Sequence, residues 1–288
     1  MNTFSPAELE QRRTFIGGSE AAAAIGLNKY QAAFDLWQVK LGLAPDFEGN
    51  EFTLWGKLHE PVIRQQYAER MNQVVRLPAE TIRHEKYPFM ACHPDGITDS
   101  RRLFEAKTAG RSEGWGETGS DQIPEDYMIQ VQHNMLVLDL EVCDLAALIN
   151  GNDLRIYEIR AHRQLQDSII DLEARFWHHV ETKTCPPPDF SRKDCVEVLQ
   201  RMYPGTNGET LFADAIVVEI RDKIEDYAQA EKAAKAAKDG YKAQLLARMG
   251  EATFMQFKDG KQFRRQLISK KGHVVAASEY MDLRLTNV

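Results

Sequence analysis

Cysteine is scarce in this sequence and never clustered. Its four thiols, Cys92, Cys143, Cys185 and Cys195, are widely separated, and no Cys-x-x-Cys pair occurs. That argues against a zinc site or an iron–sulfur cluster and leaves reduced thiols as the expectation. No apolar run approaches the ~20 residues that span a bilayer, and no signal-peptide pattern precedes the first helix. A soluble, cytoplasmic protein with no membrane partner is expected. Positive charge is also in short supply: 36 Lys and Arg stand against 43 Asp and Glu, a net charge of −7. Phosphate contacts need clustered cations, so this balance weighs mildly against nucleic acid. It does not exclude it, because a local basic channel can coexist with an acidic exterior and a metal site itself needs acids. With 288 residues, 43% of them hydrophobic, the chain suits one large domain or a domain plus an appendage.

The densest chemistry lies between Met90 and Lys107. The stretch reads as two short strands joined by a polar turn, with Asp95 closing the first strand. Glu105 and Lys107 lie two positions apart on the second, so they share a face. A hairpin can bring Asp95 beside them. Two carboxylates are hard oxygen ligands suited to Mg²⁺ alongside phosphates, and the lysine can orient or deprotonate an attacking water. These are the parts of metal-assisted phosphodiester hydrolysis. Taken alone, a surface hairpin with solvated charges explains the motif as well, so the decision falls to the rest of the chain.

Ser5, Pro6 and Glu8 mark a helix start, and that helix carries Arg12 and Arg13. Ile16-Gly17-Gly18-Ser19-Glu20 follows, with Ser19 expected to cap a second short helix. Glycines before a helix let backbone N–H groups approach an anion. A third helix is expected from about Gln31 to Leu41, stopped by Gly42, with a loop at Pro45 beyond it. A long helical stretch from Thr53 to about Met71 contains Glu60, and Pro61 should kink or restart it. His59-Glu60 is not a zinc-protease motif, because Ile63 occupies the second histidine's place. Strands are expected near 73–77 and 80–85.

After the Met90–Lys107 stretch, residues 109–123 read as a mobile loop whose Arg111 and Trp115 could meet substrate. A helix from Pro124 to about Leu138 puts Tyr127 and Gln130 on one face. A hairpin over 142–149 and 154–159 turns at Gly151-Asn152-Asp153. An amphipathic helix over 163–181 has Leu165, Ile169, Leu172, Phe176 and Val180 as its inward stripe. Pro186-Pro187-Pro188 marks a domain boundary. Beyond it, 216–249 forms a long helix with a heptad-like row of Ile220, Ile224, Tyr227, Ala234, Tyr241 and Leu245, interrupted by Glu231 and Lys238. A hairpin from Phe254 to Phe263 turns on Asp259-Gly260, and Arg264, Arg265, Lys270 and Lys271 form a basic edge.

Four blocks in order carry a resemblance: the arginine before Ile16-Gly17-Gly18-Ser19-Glu20-Ala21-Ala22; Leu54-Trp55-Gly56-Lys57-Leu58-His59-Glu60; Cys92-His93-Pro94-Asp95-Gly96 with Glu105-Ala106-Lys107; and Tyr127-Met128-Ile129-Gln130-Val131-Gln132. Residues 5 to about 190 resemble the YqaJ-type viral recombinase family, relatives of phage lambda exonuclease. The resemblance implies an α/β fold of the PD-(D/E)xK, restriction-endonuclease-like type, a mixed central sheet flanked by helices. Residues 1–190 would be that core, and 191–288 a C-terminal helical and hairpin appendage for oligomer or partner contacts. It implies a 5′-to-3′ exonuclease on linear double-stranded DNA, using two Mg²⁺ ions per site, with Mn²⁺ substituting. Asp95, Glu105 and the Ala106 backbone carbonyl would be metal ligands and Glu60 an outer carboxylate. Lys107 would position the water, and Gln130 would orient Lys107 or the water, with Tyr127 beside it. Arg12, favoured by spacing over Arg13, would grip the 5′-phosphate with Ser19. His93 stands where the lambda enzyme has a serine near the phosphate, and its role stays open. A homotrimeric ring, a phage single-strand annealing protein as partner, and a bacterial host with a phage or prophage gene complete the implication. The rival readings are a structure-specific or nicking endonuclease of the same superfamily, and a catalytically idle DNA-binding or assembly module.

Overall fold

The computed structural model describes residues 6–44 and 49–268. The Ser5 cap, the loop at Pro45 and the basic residues Lys270 and Lys271 therefore lie outside the described residues. The chain divides into two compact units, 1–202 and 203–288.

In the first unit the helices are α1 (Pro6–Arg12), α2 (Gly18–Ala24), α3 (Ala33–Lys40), α4 (Glu51–Met71), α5 (Glu125–Leu138), α6 (Arg163–Glu181) and α7 (Cys195–Met202). The strands are β1 (Ile16–Gly17), β2 (Val75–Arg76), β3 (Ile82–Arg83), β4 (Met90–Cys92), β5 (Gly96–Thr98), β6 (Leu103–Ala109), β7 (Val142–Ile149) and β8 (Asp153–Arg160). A mixed five-stranded sheet has the order β2-β5-β6-β7-β8. Only β6 and β7 run parallel in it, and α5 lies in the connection between them, as a parallel pair requires. A smaller sheet has the order β1-β4-β3.

The strand β7 is apolar almost throughout because both faces of the large sheet are covered. On one face Val131 and Met135 of α5 pack against Leu103, Cys143, Leu145 and Ile149. On the other, Ile63 and Tyr67 of α4 pack against Phe104 and Ala146. A polar lock joins α4 to β7, β8 and the turn before β6. The Arg102 guanidinium donates to Asp144 from Nε at 2.7 Å and Nη2 at 2.6 Å and to Glu158 at 2.7 Å, while the Tyr67 hydroxyl donates to Asp144 Oδ2 at 2.5 Å. A third cluster gathers α2, α3, α6 and α7 through Phe34, Leu36, Trp37, Phe176, Val180 and Val198. The first unit thus continues past the proline run to Met202, with Arg192 donating to the Asn28 carbonyl at 2.6 Å and Arg201 paired with Asp35 at 2.8 Å.

Several local expectations are corrected. The expected cap Ser19 lies inside α2, and the N-cap is Gly17, whose N–H donates to Glu20 Oε2 at 2.8 Å. The third helix covers Ala33–Lys40, shorter than expected, and the early strands shrink to β2 and β3. Helix α4 runs through Pro61 without a restart. Its two halves have separate anchors: Asn50 accepts from the Thr53 N–H at 3.0 Å at the start, and Ile63 and Tyr67 are buried beyond the proline. On α6 the inward line includes Glu173 rather than Leu172, which is 39% exposed. The 109–123 segment is tied down. Trp115 is buried against Tyr127 and Tyr157, and Thr118 and Gly119 bond to the backbone of Ile156 on the edge strand β8. Trp115 is therefore a core residue and does not face substrate.

The second unit contains α8 (Ala215–Met249) and a hairpin of β9 (Phe254–Gln256) and β10 (Gln262–Arg264). Asp214 caps α8 by accepting from the Val217 N–H at 2.9 Å, and Gly260 supplies the left-handed turn at φ 84°.

Candidate active site

The expected single hairpin is in fact split. Strand β4 belongs to the small sheet and β5 to the large one, and His93-Pro94-Asp95 is the passage between them. Pro94 has no N–H to offer a ladder, which suits the break. Asp95 therefore stands at the seam between two sheets rather than closing a strand of the β5–β6 hairpin. Gly96 pairs with Phe104, and a Cβ on it would collide with Val75, so glycine lets β2 approach. Two residues beyond Phe104, Ala106 has the same ladder parity, but β5 no longer continues beside it. The Asp95 carboxylate fills that place, accepting from the Ala106 N–H at 2.9 Å. The Ala106 carbonyl aims at the same edge, since N–H and C=O of one strand residue share a side.

Glu105 is 1% exposed. Its Oε2 accepts from Lys107 Nζ at 3.3 Å and from Gln130 Nε2 at 3.2 Å, and its Oε1 accepts from Asn134 Nδ2 at 2.7 Å. Burial and then the neighbouring Asp95 charge push the Glu105 carboxyl up to about 7. Burial alone would lower the Lys107 ammonium, but Glu105 and Asp95 outweigh it and hold it above its ordinary value. Lys107 thus stays charged, a form able to orient a water but not to deprotonate one. Its Nζ lies 5.4 Å from the Tyr127 ring centroid.

The donor chemistry suits a hard divalent cation. The Asp95 charge adds to burial in disfavouring the Glu105 charge, and a backbone carbonyl points at the same edge. Among the described residues no group of three or more acidic, histidine or cysteine side chains converges as a ligand cluster. Glu60 does not complete one here: it is paired with Arg64 at 2.9 Å, and Arg64 reaches the Asp95 carbonyl at 3.5 Å. His93 is exposed beside the passage.

A second cluster sits at the start of α2. Arg12 Nη2 lies 3.5 Å from Ser19 Oγ and 3.4 Å from Glu20 Oε1. Lys40, buried, donates to Glu20 Oε2 and to the Arg12 carbonyl, both at 2.7 Å. Burial would raise the Glu20 carboxyl, yet Lys40 and Arg12 offset it and hold it below the usual value. Arg13 turns instead to Glu10 at 3.2 Å. The two clusters meet through Gly18, where a methyl group would overlap the Asn134 amide that holds Glu105.

Sequence reasoning missed Asn134, Arg64 and the Glu20–Lys40 pair. The spacing of Tyr127, Gln130 and Asn134 along one helix face was a usable signal for the first. Glu60 and Arg64 are an i,i+4 pair that the sequence does encode, whereas the Lys40 partner of Glu20 and the Asp95 contact of Arg64 depend on chain crossings that no local pattern encodes. A cavity of about 960 Å³ lies elsewhere, lined by residues such as Met71, Thr118, Gln132, Glu158, Arg160 and Leu165, and holds none of the residues expected to be catalytic.

A profile of the YqaJ-like viral recombinase domain matches residues 9–141. The chain is 31% identical over 223 residues to the uncharacterized protein YqaJ of Bacillus subtilis (strain 168), covering 76% of this chain and 69% of that protein. The fold is similar to that of LHK-Exo, an alkaline exonuclease from Laribacter hongkongensis, solved in complex with dAMP. That match has a TM-score of 0.50 at 17% identity, over 69% of this chain and 97% of that one.

Proposed function

The chain belongs to the YqaJ-like viral recombinase family, and from that premise we propose that it is a metal-dependent exonuclease degrading one strand of linear double-stranded DNA from its 5′ end. The observation that carries this reading is buried Glu105, steered by Lys107, Gln130 and Asn134 onto the edge that Asp95 and Ala106 share. Asp95, Glu105 and the Ala106 carbonyl would hold Mg²⁺, two ions per site with Glu60 as an outer ligand, and Mn²⁺ would substitute. Bound there, the metal supplies charge stabilisation to the attacking and leaving oxygens. Lys107, charged and fixed against Glu105, orients the water. Gln130 and Asn134 hold the carboxylate at both oxygens, so its direction is set before substrate arrives. Arg12 and Ser19 receive the terminal 5′-phosphate, with Tyr127 and His93 along the strand.

A closed homotrimeric ring would retain the duplex without a strongly basic monomer, and the single strand left behind would pass to a phage annealing protein. Digestion of linear duplex with Mg²⁺, with a chelator control and covalently closed circles in parallel, tests the proposal. Degradation of linear DNA alone supports it. Cutting of closed circles favours the nicking endonuclease, and no metal-dependent cutting favours the idle binding module.

A further inference from the structure

Among the described residues, none covers an apolar row on the long helix of the second unit. Residues 215–244 of α8 are exposed throughout, including Ile216, Val217, Ile220, Ile224, Tyr227 and Tyr241. The row follows a 3–4 spacing: Val217, Ile220, Ile224, Tyr227, Glu231, Ala234, Lys238, Tyr241, Leu245 and Arg248. The row is apolar from Val217 to Tyr227 and again at Tyr241 and Leu245, a seam that suits a helical partner. Three of its members are charged, and their placement selects among partners.

In a parallel, in-register pair Glu231 would face Glu231, Lys238 would face Lys238, and Arg248 would face Arg248. Each seam layer of this kind confines like charges with no counter-ion. An antiparallel pair of identical helices layers one alternate set of seam residues against the other. One register then gives Ile220 with Leu245, Ile224 with Tyr241, Tyr227 with Lys238, Glu231 with Ala234, and Val217 with Arg248. No layer contains like charges. The Lys238 ammonium meets an aromatic ring, and Glu231 lies one layer from Lys238 of the second copy. The two-fold axis of this register falls between Lys232 and Ala233, beside the middle residue of the 35-residue helix, so the two copies overlap over their full length. Sliding by one heptad either way loses this. One slip sets Ile220 against Lys238, and the other leaves Val217 and Ile220 beyond the partner's end.

The two copies of Glu231 fall in neighbouring layers across the axis, each also one layer from Lys238 of the second copy, and one flank opposes the arrangement: Arg221 would lie near Lys242 of the second copy. Both are on the solvent side, where like charges cost little compared with charges inside a seam. Arg221 is moreover paired with Asp222 at 2.6 Å.

We propose that α8 binds a second copy of itself, antiparallel and fully overlapped, with Glu231 and Lys238 excluding the parallel alternative. The test uses the full chain with exposed Cys185 changed to serine. Ile224→Cys and Tyr241→Cys are made as separate variants, expressed alone and together, and then oxidised or bridged with a short bismaleimide. Cys92, Cys143 and Cys195 are buried, and both substituted positions are exposed, so the fold should tolerate the changes. The expected result is a covalent dimer only on co-expression, with position 224 linked to position 241 by peptide mass spectrometry. Linking of either variant to itself would overturn the proposal in favour of parallel pairing. No linking in any combination would leave α8 a solvated arm and overturn it as well. Light scattering adds a second readout: Ile224→Asp should halve the particle mass, from two proposed trimeric rings joined through α8 to a single ring, and an unchanged mass counts against self-pairing.

Discussion

Two buried carboxylates are held by neighbouring faces of α5, and they are used differently. Glu105 is 1% exposed and Glu173 is 0% exposed. Glu173 accepts from His133 at 2.8 Å, whose other ring nitrogen lies 3.0 Å from the Ala91 carbonyl. That pair clamps α5, α6 and β4, with Glu173 Oε2 buried and without a hydrogen-bond partner among the described residues. Glu105 has three donors, yet burial and then Asp95 beside it raise its carboxyl, and the edge it shares with the Ala106 carbonyl ends where β5 stops. Burial of an acid therefore says little by itself. What separates a chemical site from a structural one is a second like charge left beside it, a state that a cation relieves.

The sharpest way to break this comparison is to neutralise each acid. Glu105→Gln or Lys107→Ala should reduce Mg²⁺-dependent digestion of linear duplex by roughly 1,000-fold or more, on the scale of losing a transition-state contact, with circular dichroism unchanged. Substantial activity in either variant would remove the distinction. Glu173→Ala or His133→Ala should instead cost about 3–5 kcal/mol of stability, the usual effect of breaking a buried pair, measured by urea unfolding.

Gly18→Ala should come next. It leaves every proposed ligand in place but forces Asn134 off Glu105, and digestion should slow ~10–100-fold, in line with the loss of one positioning hydrogen bond. Unchanged rates would show that Asn134 does not steer the carboxylate. Arg12→Ala should reduce the preference for 5′-phosphorylated over 5′-hydroxyl ends by about tenfold, the value of one charge-assisted bond. Equal rates on both ends in the wild type would remove that role.

The smallest effect is in pH. Burial would lower the His133 imidazole, but Glu173 outweighs it and raises it above 6.5. The pair's contribution is complete below about 6.5, the unfolded value, and is lost as pH rises through the folded one. Unfolding free energy should fall as pH rises above about 6.5 in wild type, and Glu173→Gln should flatten that fall.

The sequence showed much of this. The period-two spacing put Glu105 and Lys107 together, and the α5 and α6 boundaries followed from their patterns. The hairpin at Asn152-Asp153 and the long α8 were equally legible. Less visible were features set by distant chain segments. The break at Pro94 placed Asp95 between sheets because β3, just upstream, and β1, far away in sequence, claim β4. Glu173 replaced Leu172 on the inward line because His133 waits opposite it. Trp115 sat in a segment of loop-like composition, yet two tyrosines from separate elements bury it. Local pattern encodes faces, whereas pairing across the core depends on which face arrives.

The missing side chain at Gly18 has one more consequence. With nothing compressible between the start of α2 and the Asn134 amide, the groups proposed to receive a strand end and those proposed to cut it are spaced by backbone alone. A cutter built this way measures its first step with a rigid gauge. Lengthening that gauge by a single methyl should shift the position of the first cleavage as well as its speed.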